Sequence, residues 1–213
     1  MSDQEASIQE RHLIDTFKGV TPLVILVLIA LYDGWDRSAA WLYLGLHGSY
    51  GLLWLVKSQV FPDRSWKKPL KIGRGLIYVG GLIAYWVAPW VLLALERHPP
   101  LLLFAAAPAL YGTGVMLHFA ADLQKHTALT LRPGQLITSG LFARIRNPNY
   151  LGELLIYLSF VLVSWHWLPF LILLAAVLFE WLPNMRAKDR SLSRYPDFEE
   201  YRRRSWLFIP FLC

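Results

Sequence analysis

The densest run of chemically capable side chains lies between His118 and Glu153: His118, Asp122, Gln124, Lys125, Arg132, Arg144, Arg146, Asn147, Asn149, Tyr150 and Glu153. His118, Asp122 and Lys125 are spaced i, i+4, i+7, so they share one face if a single helix carries all three. Asn149, Glu153 and Tyr157 are four apart and share a face of the next helix. Pro148 suits a first helical position, and Asn147 suits the cap before it. A helix start with Arg144 and Arg146 just upstream offers free N–H groups, a positive dipole end and guanidinium forks. That is the chemistry of an anion site, and the expectation is a cofactor bearing phosphate or carboxylate groups. Ordinary loop charge beside a membrane is the competing explanation for the arginines.

Two further groups matter. His47, Tyr50, Trp54 and Lys57 are spaced +3, +4, +3 and fall on one helical face. His47 and Tyr50 lining a cavity would deliver a proton to a lipid-soluble substrate. Alternatively, His47 is a structural hydrogen bonder and Lys57 snorkels to the interface. Arg74, Tyr78 and Tyr85 form a similar, weaker stripe. In the tail, Arg186, Lys188 and Asp189 are expected to close over the cofactor; the alternative is a solvated helix beside anionic lipid. The chain has no G-x-G-x-x-G fingerprint, P-loop, Ser nucleophile elbow, H-E-x-x-H or Cys-His metal spacing, and its one cysteine, Cys213, forms no disulfide within it.

The elements that must position these residues are apolar. Of the 213 residues 55% are hydrophobic, and ten Trp and ten Tyr suit the two membrane–water interfaces. Apolar segments near 19–32, 39–61, 75–95, 101–121, 151–164 and 167–183 predict an all-α, polytopic bundle of about six transmembrane helices. The last two, joined by Ser164-Trp165-His166-Trp167, are expected to form a tight hairpin, followed by a cytoplasmic C-terminal helix. The net charge of +6 comes from short loops rather than one soluble face, which argues against nucleic acid as a partner. Basic residues concentrate at 62–74, 122–150 and the tail, which puts both termini and the cofactor site in the cytoplasm. The expected organisation is one membrane domain over 1–213. Residues 1–18 form a cytoplasmic segment, 19–121 four spans lining a substrate cavity, and 122–213 a cofactor-binding half.

Arg146-Asn147-Pro148-Asn149-Tyr150-Leu151-Gly152-Glu153, then Tyr195-Pro196 and Phe208-Ile209-Pro210-Phe211-Leu212, resemble the C-terminal region of the steroid 5-alpha-reductase family. Its superfamily includes the sterol reductases and the isoprenylcysteine carboxyl methyltransferases. The likeness covers about 118–213. Gln124-Lys125 is similar to a pair in the sterol reductases, and Asp122 with Leu131-Arg132-Pro133-Gly134 to a pattern in the 5-alpha-reductases. Arg146-Asn147-Pro148-Asn149-Tyr150 is also close to a methyltransferase motif, but Lys188-Asp189 stands where those enzymes carry a Glu-Glu pair. The N-terminal half lacks a clear match to the segment that supplies the catalytic Glu of the 5-alpha-reductases.

The resemblance implies an NADPH-dependent membrane oxidoreductase of lipid metabolism, reducing a C=C bond in a lipophilic enone or sterol-like substrate. NADPH would be bound by Asp122, Lys125, Arg132, Arg146, Asn149, Tyr150, Glu153, Arg186 and Asp189, and the proton would come from Tyr50, Tyr78 or His47. The surplus of Lys and Arg suits the negative charge of NADPH better than the sulfonium of S-adenosylmethionine. The alternatives are an S-adenosylmethionine-dependent enzyme like the isoprenylcysteine carboxyl or phospholipid methyltransferases, and a non-catalytic membrane scaffold. The expected partners are the lipophilic substrate and membrane lipid.

Overall fold

Helices carry nearly all the regular structure in the computed structural model, which describes residues 9–63, 68–70 and 72–211 without the side chains of Ile72, Arg74, Leu76, Ile77 and Tyr78. No strand occurs among the described residues; Gln9 with Pro69 and Ile145 with Trp206 form isolated bridges. The chain clusters into two compact units, Met1–Phe104 with Phe160–His166, and Ala105–Ser159 with Trp167–Cys213.

In the first unit, helix α1 spans Glu10–Leu31. It begins well before the apolar segment expected from residue 19. The Gln9 N–H donates to His12 Nδ1 at 3.3 Å, satisfying one donor at the helix start. Glu10, Ile14, Lys18, Thr21, Ile25 and Ile29 recur every three or four residues and are all buried, so one face continues below the apolar run. Pro22 has no N–H to offer the Lys18 carbonyl. Helix α3 packs there: a Cβ on Gly51 would overlap the Lys18 carbonyl oxygen.

Helix α2 (Ser38–Tyr43) passes through a π-helical turn, Leu44–Gly48, into α3 (Ser49–Val60). A π turn inserts residues into the helical register and turns the following side chains. Helices α4 (Ile72–Ala84) and α5 (Val87–Ala94) are broken at Tyr85-Trp86. Trp86 Nε1 ties this break to α1 by donating to Thr21 Oγ1 at 3.1 Å. Arg37 donates to the carbonyls of Leu93 at 3.0 Å and Tyr32 at 3.2 Å, satisfying the ends of α5 and α1.

In the second unit, α6 spans Leu103–Leu131, running ten residues past the apolar segment expected to end at 121. Helix α7 (Pro148–Ser164) starts at the proline, as its fixed φ favours. The two helices meet backbone to backbone at glycines. A Cβ on Gly114 would lie 2.7 Å from Gly152 O, and one on Gly152 would lie 2.7 Å from Gly114 O and overlap His118 N. A further helix follows as α8 (Trp167–Ala176), a π turn (Val177–Trp181) and α9 (Leu182–Leu192), before the short α10 (Phe198–Arg203).

Among the described residues, three helical stretches are long and apolar enough to cross a membrane: Glu10–Leu31, Leu103–Leu131 and Trp167–Leu192. The other expected segments are shorter or interrupted, including Val79–Ala94 and Pro148–Ser164. Leu23, Val27, Leu31, Met116, Phe170 and Phe179 stand exposed on these long helices, where lipid would cover them.

The glycine crossing gives a direct test. Gly152→Ala is expected to lower the unfolding midpoint in detergent, at a cost of about 1–3 kcal/mol, because a methyl must enter backbone contact. Gly112→Ala on α6, which meets open space, is expected to be neutral or stabilising.

Candidate functional site

In the second unit the expected polar cluster assembles in two parts. The first lies at the α6–α7 crossing. Because α6 continues past residue 121, His118 and Asp122 share a face and are both buried. His118 Nδ1 lies 3.0 Å from the Asn149 carbonyl oxygen, and His118 Nε2 lies 3.9 Å from Asp122 Oδ2. The Gln124 side chain, two residues on, receives the Leu141 N–H at 3.1 Å and donates to the Ser139 carbonyl at 2.8 Å. It thereby holds the loop at Gly140, whose φ of +60 and contact with Gln124 leave no room for a side chain. On α7, Tyr157 Oη donates to Glu153 at 3.0 Å, and Trp181 packs against the rings of Tyr150 and Tyr157 at 5.6 and 5.9 Å.

The second part is a clasp around Arg146. Its guanidinium is buried: Nε donates to Asp189 Oδ2 at 3.1 Å, and Nη1 to the Ser205 carbonyl, to Ser205 Oγ at 3.1 Å and to the Arg202 carbonyl at 3.3 Å. Lys188 Nζ donates to the Arg146 carbonyl at 3.0 Å and to Asn147 Oδ1 at 2.9 Å, and Asn147 Nδ2 donates to the Leu207 carbonyl at 3.0 Å. The backbone joins in: Arg146 N–H donates to the Trp206 carbonyl, and Trp206 N–H to the Arg144 carbonyl. Asn147, expected as a helix cap, instead spends its side chain on the tail. Tyr201 Oη donates to the Phe142 carbonyl at 2.6 Å. Burial pushes this phenol up to about 12, opposed by Arg146 and Arg204 and reinforced by Asp189.

Of the residues expected to bind cofactor, Asp122 and Asn149 meet through His118, and Arg146 and Asp189 bind each other directly. Arg132 and Arg186 are exposed, while Lys125, Tyr150 and Glu153 are half-buried. Between the loop after α6 and the tail lies an open cleft of about 510 Å³, lined by Gly134, Gln135, Thr138, Tyr195, Asp197, Glu200 and Arg204 among others. Ser205 and this cleft escaped the sequence reading, because nothing in local spacing links residue 146 to 205.

In the first unit the stripe expected from spacing is one buried face: His47, Tyr50, Trp54 and Lys57 are all 8% exposed or less. Lys57 does not reach the surface; its Nζ lies 4.4 Å from the Trp54 ring centre. Trp54 Nε1 and Ser58 Oγ donate to Asp15 at 3.0 and 2.7 Å. Tyr43 Oη lies 2.9 Å from His47 Nδ1. Lys18, unremarked in the sequence, is buried with Nζ 3.9 Å from the Trp54 ring centre, 4.3 Å from Tyr50 and 5.4 Å from Tyr85. The four-residue step from Ile14 was the signal that could have found it. The Tyr78 side chain lies outside the described residues. No cluster of three or more His, Cys, Asp or Glu suited to a metal occurs among the described residues.

Fold and site define a helical protein built to meet a membrane, with a polar, tail-clasped cluster in its second unit. A family model described as "protein of unknown function (DUF1295)" matches residues 77–205, more than half of the chain, and the chain belongs to that family. Over 83 residues it is 31% identical to the uncharacterized protein C7D4.09c of Schizosaccharomyces pombe, covering 36% of this chain and 27% of the relative. The matched stretch is thus about a quarter of the length of that curated relative.

The clasp predicts two outcomes. Arg146→Ala strands a half-buried carboxylate and several carbonyls, and Arg146→Lys cannot supply the forked donors. Both are expected to lower the unfolding midpoint and to speed proteolysis of the tail, with Ala costing on the order of 3 kcal/mol. Tyr201 stabilises the fold as a neutral donor, since its folded value lies above its ordinary 10.0. That contribution is complete below pH 10 and is lost as pH rises toward 12. Midpoints measured across this range are expected to fall more steeply for the native chain than for Tyr201→Phe.

Proposed function

We propose that this protein is an NADPH-dependent membrane reductase acting on a C=C bond in a lipophilic enone or sterol-like substrate. The observation that carries this reading is the convergence of two separated motif segments on one cleft. The loop after Arg132-Pro133-Gly134 and the tail at Tyr195-Pro196 both line it. These segments, with Asp122, Asn149 and Glu153, carry the likeness to the steroid 5-alpha-reductase group, and membership of DUF1295 is compatible with it. The cleft falls within the size range of small-molecule sites. Arg204 lines it, exposed Arg132 lies two residues before Gly134 in the chain, and such cations suit the phosphates of NADPH. Asp197 and Glu200 also line it and suit ribose hydroxyls.

In this reading the Arg146 clasp positions the cleft and does not contact the cofactor. Lys125, Arg186, Asn149, Tyr150 and Glu153 remain candidates for cofactor contact, and Tyr50, Tyr78 and His47 for the proton. The cofactor supplies the hydride. The proposed topology keeps six spans, the shorter segments among them, with the last two as a hairpin and both termini cytoplasmic.

One observation favours a second reading. Glu153 and Tyr157 are hydrogen-bonded beside Tyr150 and Trp181, and Glu180 precedes Trp181 in a π turn. Carboxylates among aromatic faces suit an organic cation such as the sulfonium of S-adenosylmethionine.

Thermal unfolding of purified protein with each cofactor decides between them. NADPH at 100 times its Kd is expected to stabilise by about 2.7 kcal/mol. Arg132→Glu is expected to weaken NADPH about tenfold while leaving the cofactor-free midpoint unchanged. Stabilisation by S-adenosylmethionine alone would transfer the assignment to a methyltransferase, and no response to either would favour a scaffold.

A further inference from the structure

The clasp around Arg146 sorts the charges of α9 onto opposite faces. Trp181 and Met185 are buried and Lys188, Asp189 and Leu192 half-buried, and all five share the inward side. Arg186 and Arg190 stand a turn apart on the other side, both exposed, and exposed Arg194 follows just past the helix end. Arg194 bends back to donate to the Ser191 carbonyl at 2.9 Å and lies over the Tyr195 ring. None of these three arginines forms an ion pair among the described residues. The carboxylate that α9 carries, Asp189, is turned inward onto Arg146. Lys188 is likewise committed to the Arg146 carbonyl and Asn147. The outward face is therefore cationic without a balancing acid. Helix α10 differs, since its Glu199 and Glu200 meet Arg202 and Arg204 at 3.5 and 3.8 Å.

We propose that this outward face of α9 is a binding surface for the phosphate headgroups of anionic phospholipids, in the leaflet on the tail's side. Position selects the partner. α9 ends the apolar stretch Trp167–Leu192, and Trp167 at its start is exposed, as suits one membrane interface. About 30 Å of hydrocarbon takes about 20 helical residues, so a crossing that begins at Trp167 ends near Arg186. Arg190 and Arg194 then follow at successive turns into the headgroup layer, where lipid phosphates are the abundant anions. A guanidinium fork matches a phosphate, and each cation close to an anionic surface adds to the attraction. Without an anion, the row sets like charges a turn apart, which is unfavourable on a helix. Solvated loop charge would explain the exposure of these arginines. It would not explain why the acid of the same helix is held on the opposite side. Neither Arg190 nor Arg194 is a candidate for cofactor contact, so the surface stands whether or not the chain is a reductase.

The test uses the full chain in detergent micelles, titrated with dioleoyl phosphatidylglycerol or with dioleoyl phosphatidylcholine of the same acyl chains. Native mass spectrometry counts the lipid retained, and the unfolding midpoint is followed in parallel. Phosphatidylglycerol is expected to bind at least about tenfold more tightly than phosphatidylcholine and to raise the midpoint more. The double variant Arg190→Gln/Arg194→Gln is expected to weaken phosphatidylglycerol on the order of twentyfold, at about fivefold per arginine, with phosphatidylcholine unchanged. Arg202→Gln/Arg203→Gln removes the same charge from α10 and is expected to leave the preference in place. The native chain supplies a measurement that needs no variant: raising salt from about 0.1 M to about 1 M is expected to erase most of the preference, because screening shortens to about 3 Å. Equal retention of the two lipids by the native chain would overturn the surface. So would an unchanged preference in the folded Arg190→Gln/Arg194→Gln chain, or an equal loss in the α10 variant, which would assign the effect to net charge alone.

Discussion

A buried guanidinium organises the second unit. Arg146 gives up its hydration, and that loss is tolerable only because Asp189 and the carbonyls at 202 and 205 accept its hydrogen bonds. Those acceptors come from α9 and the tail, so satisfying one side chain pins two distant segments to the residues just before α7. Lys188 and Asn147 add a second layer of the same kind. The cleft beside Tyr195 exists because the tail is held in this way. The arginine that spacing assigned to a cofactor gives its guanidinium hydrogen bonds to the protein's own acceptors.

The first unit meets a related constraint in an apolar setting. Two lysines, a histidine and an aspartate lie on or beside helices rich in hydrocarbon. Lys18 and Lys57 lie over the Trp54 ring, and Lys18 also over Tyr50 and Tyr85. π faces favour an ammonium held this deep. Asp15 is in turn held by an indole N–H and a hydroxyl. Aromatic residues that composition assigns to membrane interfaces thus also line a polar interior.

Helix breaks in both units fall beside polar groups. π turns lie at Leu44–Gly48 and Val177–Trp181, and carry His47 and Glu180 respectively. A π turn shifts side chains off the face they would otherwise occupy and loosens the local hydrogen-bond ladder. Helices of even pitch would carry these two residues around to other directions.

Much of this was legible in the sequence, and the boundary is physical. Spacing alone put His47, Tyr50, Trp54 and Lys57 on one face, joined His118 to Asp122 and Glu153 to Tyr157, and started α7 at Pro148, because helical period and proline geometry are local. Apolar content marked the membrane-facing helices for the same reason. The extent of α1 and α6 was underestimated, since an amphipathic continuation carries charged residues that hydropathy discounts. The pairing of Arg146 with Asp189 and Ser205, the glycine contact of α6 with α7, and the enclosure of Lys18 by three rings are non-local. They depend on which helices cross and at what distance, and only the packed chain decides that.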